Sequence, residues 1–475
     1  MGPRKRKSAV ANRQAALGWV RTTVVAGLCL GACATSIRAD VLTVDQSETK
    51  FPTVSAAVAA ASPGDTIQVH EGTYVGQIVI DKKLTLEGVG KPILRGAGPG
   101  SVITVLADGC VIRGLIVEHS GGDLQGEDSG ILLKSRDNII EDNELRDILY
   151  GIYLYRSPGN TIRGNSIRGR AELEIGERGA GLHLWDSPGN TIEGNTISET
   201  RDGLYIQSCD RNIIRRNRVS NLRYGVHYMF SNWNKFEDNI FSNSIAGAAI
   251  MYSDHIEFRR NAFIHNRGFS SFGILFQECN DCLAEQNFII DNATGIFMEA
   301  LRTSTFRNNV IAENDVALQM FSSADKNTFT ANNFVENLSP LQLIGRTTTT
   351  RWADDGRGNF WSDYDGYDLD GDGIGDVPHK VQNVFEYMEG RYPRLRIYLN
   401  SPVAQALAMA ERVIPLVKGS SEADTSPLIK ANALQFPFED PGPKRSVHVM
   451  LTLISLAMLC VVLIVFYGAR RRDAW

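Results

Sequence analysis

DNIIEDNELRDILYGIYLYRSPGNTIRGN, residues 137–165, holds one full period of a repeat. Its phrase is a large apolar residue, two mostly polar residues, an Asn, any residue, then usually another apolar one. Ile140-Glu141-Asp142-Asn143 is the first clear copy. Equivalent Asn residues follow at 165, 195, 217, 239, 261, 287, 309 and 332, at spacings of 22, 30, 22, 22, 22, 26, 22 and 23. A period near 22 with Asn at one corner marks a solenoid. A second strand in each coil begins at a Gly, as in Gly151-Ile152-Tyr153-Leu154 and Gly203-Leu204-Tyr205-Ile206. Short strands separated by Gly and Asn corners predict an all-β fold, a right-handed parallel β-helix. Two reasons are expected for Asn at the corner. It tolerates the left-handed conformation, and its amide can bond the next coil's Asn about 4.8 Å away.

Side chains alternate along a strand, so the Gly-led strands can be sorted into faces. Positions one and three after the Gly are nearly all apolar, from Ile152 and Leu154 to Ile296 and Met298, and are predicted to line the interior. Positions two and four then point outward. They read Tyr153/Tyr155, His183/Trp185, Tyr205/Gln207, His227/Met229 and Ala249/Met251 on successive coils. An ordinary solvent face would carry Thr, Lys, Glu and Ser. Three occupants compete for this column: a loop or the C-terminal tail, a protein partner docking on Tyr153, Tyr155, Trp185 and Tyr205, or a soft metal. His227, Met229 and Met251, with His183 farther along, are the metal candidates, because imidazole plus thioether suits monovalent copper. Two insertions break the period, Arg168 to Gly179 and near Phe269 to Phe272. Solenoid insertions gather on the binding face, or are tolerated surface loops.

The rest of the chain reads as leader, caps and anchor. Phe51 to Ala61 is predicted to be an amphipathic helix covering the open end of the first coil. Residues 1–39 have the basic, apolar, small-residue order of a secretory signal, and Leu30-Gly31-Ala32-Cys33 also fits a lipidation site. Residues 40–345 are assigned to the β-helix and 346–445 to a C-terminal cap, acidic loop, amphipathic helix (Ser401 to Val417) and linker. Val447 to Tyr467 has no Asp, Glu, Lys or Arg, so 446–468 is predicted to span a membrane. Arg470, Arg471 and Arg472 put the tail, 469–475, in the cytoplasm and the solenoid in the periplasm. A net charge of −5 on 475 residues argues against nucleic acid as a partner.

Two smaller motifs bear on metals. Cys279-Asn280-Asp281-Cys282 is a single CxxC, which reads as a local disulfide or two free thiols rather than a zinc site. Asp368, Asp370, Asp372 and Asp376 occupy positions 1, 3, 5 and 9 of a calcium-type loop, with His379 where the bidentate Glu of an EF-hand would stand. Calcium competes there with a metal-free acidic turn.

The tail carries a resemblance to a known family. GNFWSDYDGYDLDGDGIGDVPH from residue 358, then YPRL, then SPVAQALAMAERVIPLV and DTSPL at 424–428, together with the cap and the Asn-cornered coils, resemble the NosD family over about residues 41–430. NosD proteins are maturation factors of nitrous oxide reductase. The resemblance implies a periplasmic accessory of an ABC transporter built of a permease and an ATPase. It would receive copper from a copper chaperone for nitrous oxide reductase, with sulfur as the other candidate cargo. It implies no catalysis. The competing class is a β-helix enzyme or binding protein acting on polysaccharides. Such an enzyme needs a carboxylate pair or cluster on the outward face, where the assigned positions hold only Glu299.

Overall fold

The computed structural model describes residues 39–47, 50–345, 348–382 and 422–435, with a few isolated positions beyond. The chain winds into a right-handed parallel β-solenoid of about 14 turns. Each regular coil gives one strand to each of three parallel sheets. Ile139–Glu141 lies in sheet 1, Glu144–Ile148 in sheet 2 after the Asn corner, and Tyr150–Tyr155 in sheet 3. The inward column of sheet 3 keeps the phase expected from the sequence: Ile152, Leu182, Leu204, Val226, Ala248, Ile274 and Ile296 pair in register and are wholly buried.

The corner Asn side chains form one continuous ladder from Asn143 to Asn359. In it each Nδ2 donates to the next Oδ1 at 2.8–3.1 Å. Of the two reasons expected for Asn, only the hydrogen bond holds. The left-handed residue is the one before it, such as Asp142, Arg216, Asp238 or Arg260, while the Asn itself turns into the core. Two further ladders occupy the other corners. Asn138, Asn160, Asn190, Asn212 and Asn234 link sheet 3 to sheet 1, and Asn266, Asn292, Asn314 and Asn337 link sheet 2 to sheet 3. The leading Gly of sheet 3 has a steric cause. A Cβ on Gly225 would stand 2.4 Å from the Gly247 carbonyl of the next coil.

Sheet 1 carries an unanticipated charge ladder. Its outward third position reads Glu87, Arg113, Glu141, Arg163, Glu193, Arg215, Glu237, Arg259, Glu285 and Arg307 on successive paired strands. Exposed pairs of this kind, such as Arg215–Glu193 at 2.7 Å, add little stability each. Their alternation opposes a slip by one coil, which would set like charge on like.

The ends are closed. The cap helix is Val54–Ala60, shorter than expected, because Thr53 Oγ1 accepts from Ala56 N at 3.2 Å and starts it there. At the other end the solenoid runs past the expected boundary at 345, since sheet 2 gains the strand Phe360–Trp361. The Asn ladder ends on buried Asp424, whose Oδ2 accepts from Asn359 N at 2.7 Å and Trp361 Nε1 at 3.0 Å. Among the described residues no helix is long and apolar enough to cross a membrane. All but the last residue of the expected leader (1–39), most of the helix at 401–417 and nearly all of the span at 446–468 lie outside the described residues.

Candidate functional site

The outward column of sheet 3 forms as a continuous row of rings. Centroids of Tyr153 and His183 lie 4.3 Å apart, His183 and Tyr205 4.4 Å, and Tyr205 and His227 4.9 Å. Half of it is covered. Tyr153 is 1% exposed and His183 8%, so neither belongs to an open docking face. The cover is the first insertion together with the loop before Ser129. Leu124, Leu173 and Ala180 pack on Tyr150 and Tyr153, and Tyr153 Oη donates to Glu127 Oε1 at 2.7 Å. Arg170 pins the insertion to Asp147 at 2.9 Å and to the Gly121 carbonyl at 3.2 Å. Trp185 remains 37% exposed, and Tyr155 and Tyr205 are half-buried.

His183 is isolated in this cover. Neither ring nitrogen has a hydrogen-bond partner, and burial pushes its pKa down to about 3. Two strand spacings and the Tyr205 ring separate it from His227, about 9.6 Å, so one ion cannot take both. Its folded-state value lies below the ordinary 6.5. Its contribution to stability is therefore full above that pH and is lost as pH falls toward the lower value. His183→Phe is expected to match or exceed the wild type at pH 7.5 and to lead it by about 3 kcal/mol near pH 4. Denaturant midpoints measured across that range check this, and parallel pH curves would refute it.

The other soft donors stand on two neighbouring strands. Met229 and Met251 are direct register partners, and His227 stands two residues before Met229 on the same strand. Beside His227 in the next coil is the small, buried Ala249. His227 Nδ1 lies 3.2 Å from Asp202 Oδ2, a wholly buried carboxylate. Donation from Nδ1–H to that oxygen would leave the lone pair on Nε2; Arg223 Nη2 also lies 3.3 Å from Nδ1. Arg223 also grips Asp202 with two bonds, of 2.9 and 2.7 Å. Burial alone would raise the Asp202 pKa, but the hydrogen bonds from His227 and Arg223 outweigh it and hold the carboxyl below its usual range. Asp202 and Arg223 escaped the sequence reading. They precede the Gly by one and two positions, where the strand phase had not been extended.

A row of aromatics flanks the pair of thioethers. Phe230 (52% exposed) stacks on Tyr252 at 5.1 Å, and Trp233 (51% exposed) on His255 at 3.7 Å. All four adopt left-handed φ at the corner between sheets 3 and 1, where other coils place Asp186, Ser208, Arg211 or Glu278. Bulky aromatics are unfavourable there, and here they stand exposed on the two coils of Met229 and Met251.

The remaining motifs separate. Cys279 and Cys282 are buried free thiols, Cys279 pushed up to about 12 by burial, so no disulfide forms and thiolate chemistry is suppressed. In the acidic turn, ligand atoms of Asp368, Asp370 and Asp372 lie within 4.8 Å of one another. Asp376 is not in that group; its Oδ2 accepts from Leu369 N at 2.7 Å. His379 is buried against Trp361, with ring centroids 4.9 Å apart.

Known proteins resemble this chain over most of its length. Residues 167–366 match the family model described as periplasmic copper-binding protein (NosD), and residues 42–252 one described as a protein of unknown function (DUF1565). The chain is 34% identical over 388 residues to a probable ABC transporter binding protein NosD of Pseudomonas aeruginosa, covering 78% of this chain and 89% of that one. It is 31% identical over 376 residues to a protein of the same description from Stutzerimonas stutzeri, covering 76% and 85%. Among solved structures, the A-module of the mannuronan C-5 epimerase AlgE6 of Azotobacter vinelandii superposes with a TM-score of 0.51 at 14% identity, over 63% of this chain and 93% of that one, a likeness of fold alone. With the tail motifs, the Asn ladder and these relatives in agreement over most of its length, the chain belongs to the NosD family.

Proposed function

We propose that this protein is the periplasmic component of an ABC transporter assembly, holding monovalent copper at His227, Met229 and Met251 and relaying it for maturation of nitrous oxide reductase. One arrangement carries the site: an imidazole held against a buried carboxylate, on the same strand as Met229 and one coil from that residue's register partner Met251. Imidazole and thioether favour monovalent copper over zinc or calcium. A copper chaperone would deliver at the aromatic corner, and the permease and ATPase would couple to the rod elsewhere. On this reading the protein is no enzyme: the outward column of sheet 3 carries a single carboxylate, Glu299. The apolar run 447–467 anchors it in the inner membrane, and any calcium at Asp368, Asp370 and Asp372 is structural.

The test is an anaerobic titration with monovalent copper against a chromophoric chelator. The variant His227→Ala/Met229→Ala/Met251→Ala is expected to bind more than ~100-fold more weakly, since loss of the group behind a metal-bound His alone costs ~10–100-fold. Equal affinity would remove the site. Depolymerisation or epimerisation of alginate by the wild type would favour the enzyme class instead.

A further inference from the structure

Sheet 2 changes character part-way along the rod. Its outward positions are polar at Glu144/Arg146, Ser166/Arg168, Thr196/Ser198 and Arg218/Ser220. From the next coil they turn mostly apolar, at Ile240/Ser242, Ala262/Ile264, Phe288/Ile290 and Val310/Ala312. This stretch is covered by the chain's own C-terminal segment. Asn432 N donates to Asn333 Oδ1 and Asn333 Nδ2 to Asn432 O, both at 2.9 Å. Leu434 and Phe438 pack on the cluster of Ile240, Ala262, Ile264 and Phe288. Gly442 O then accepts from Asn243 Nδ2 at 3.2 Å. The described residues Asn432, Leu434, Phe438 and Gly442 thus mark a strap that runs back along the rod, from the coil of Asn333 to that of Asn243.

Where it ends matters. Asn243 lies in the coil that continues into Met251 and Tyr252. The strap lies on sheet 2, and the aromatics occupy the one corner that sheet 2 does not form, between sheets 3 and 1. The strap's end and the aromatic corner thus sit at one level of the rod on opposite sides. The apolar run begins five residues after Gly442, at Val447. Five residues reach at most ~18 Å.

We infer that the strap sets the rod side-on to the membrane, turning the sheet 2 flank to the lipid headgroups and the aromatic corner away from them, towards a soluble partner. This rests on the reading of 447–467 as the anchor.

The experiment uses the full chain with Cys29, Cys33 and Cys460 changed to Ser, reconstituted in phosphatidylethanolamine/phosphatidylglycerol vesicles carrying a headgroup acceptor dye. Arg218→Cys on sheet 2 and Arg211→Cys at the aromatic-side corner are exposed positions of one coil, and each takes the donor dye. Transfer from position 218 is expected to exceed that from 211 severalfold. Leu434→Asp/Phe438→Asp, with its fold checked by thermal melting, should stay on the vesicles and lose most of that difference. Equal or reversed transfer in a vesicle-bound chain overturns the orientation while leaving the anchor intact. A chain that floats free of vesicles overturns the anchor, and the orientation with it.

Discussion

Asn239→Ala is expected to lower the unfolding free energy of its part of the rod by about 3–5 kcal/mol, with Asp238→Gly next to it changing it by less than ~1 kcal/mol. The contrast follows from which residue carries the corner. Asn239 is wholly buried. Its Oδ1 accepts from Asn217 N at 3.0 Å and Asn217 Nδ2 at 2.9 Å, and its Nδ2 donates to Ile214 O and Asn261 Oδ1, both at 2.9 Å. Ala leaves the Asn217 amide and the Ile214 carbonyl without these partners in a place water does not reach, and each such group costs about 1–3 kcal/mol. A small cavity adds to this. Asp238 has the left-handed φ of 55° that Gly adopts freely, and its side chain makes only a half-exposed pair with Arg260. A solenoid is held by nearest-neighbour terms, so the damage is local. Hydrogen exchange should quicken in the coils around 214–261 first, before the cap helix or Trp361 is affected. Equal effects of the two substitutions would mean that backbone conformation, not the amide ladder, sets the corner.

The fold was legible because a solenoid writes its geometry once per coil. The Asn spacing fixed the phase, and the phase sorted sheet 3 into an interior of Ile152, Leu204 and Val226 and an outer column, as found. What was not legible depends on contacts between coils that are distant in sequence. The cover over Tyr153 and His183 comes from the insertion folding back on Asp147 and Gly121, which no spacing announces. The strap is similar: Leu434 packs on the cluster of Ile240, Ala262, Ile264 and Phe288 across a long sequence interval, although the switch from Arg218/Ser220 to apolar positions was visible. The Glu–Arg ladder of sheet 1 could have been read by the same phase argument, applied to the strand before the Asn. Together these features leave one flank unclaimed. Sheet 1 is neutralised by its own charges, the far half of sheet 2 is strapped and the lower part of sheet 3 is lidded. Among the described residues, nothing covers Phe230 and Trp233 beside Met229 and Met251, and both are about half exposed.

Asp202→Ala is expected to have the second large effect, in two measurements at once. Asp202 is wholly buried and accepts from Arg223 and His227, with Arg201 Nε 3.5 Å away. Removing one partner of such a buried ionic group strands the others, at about 3–5 kcal/mol. The depressed carboxyl value sets the sign with pH. The stabilisation is fully present above the ordinary Asp value of about 3.9 and is lost as pH falls through the lower folded value. The gap between wild type and variant should therefore persist down to about pH 5 and close only in strong acid. The second measurement is copper affinity. Without Asp202 the imidazole of His227 is free to rotate and to present either nitrogen, and a weakening of ~10–100-fold is expected. Asp202→Asn separates the two effects. Its carbonyl oxygen can still accept from His227 Nδ1, so copper affinity should largely recover, while Arg223 still lacks its counter-charge and stability should not. If Asp202→Ala destabilises the rod but leaves copper affinity unchanged, the carboxylate is only an anchor for Arg223, and His227 is not the ligand that the thioethers share.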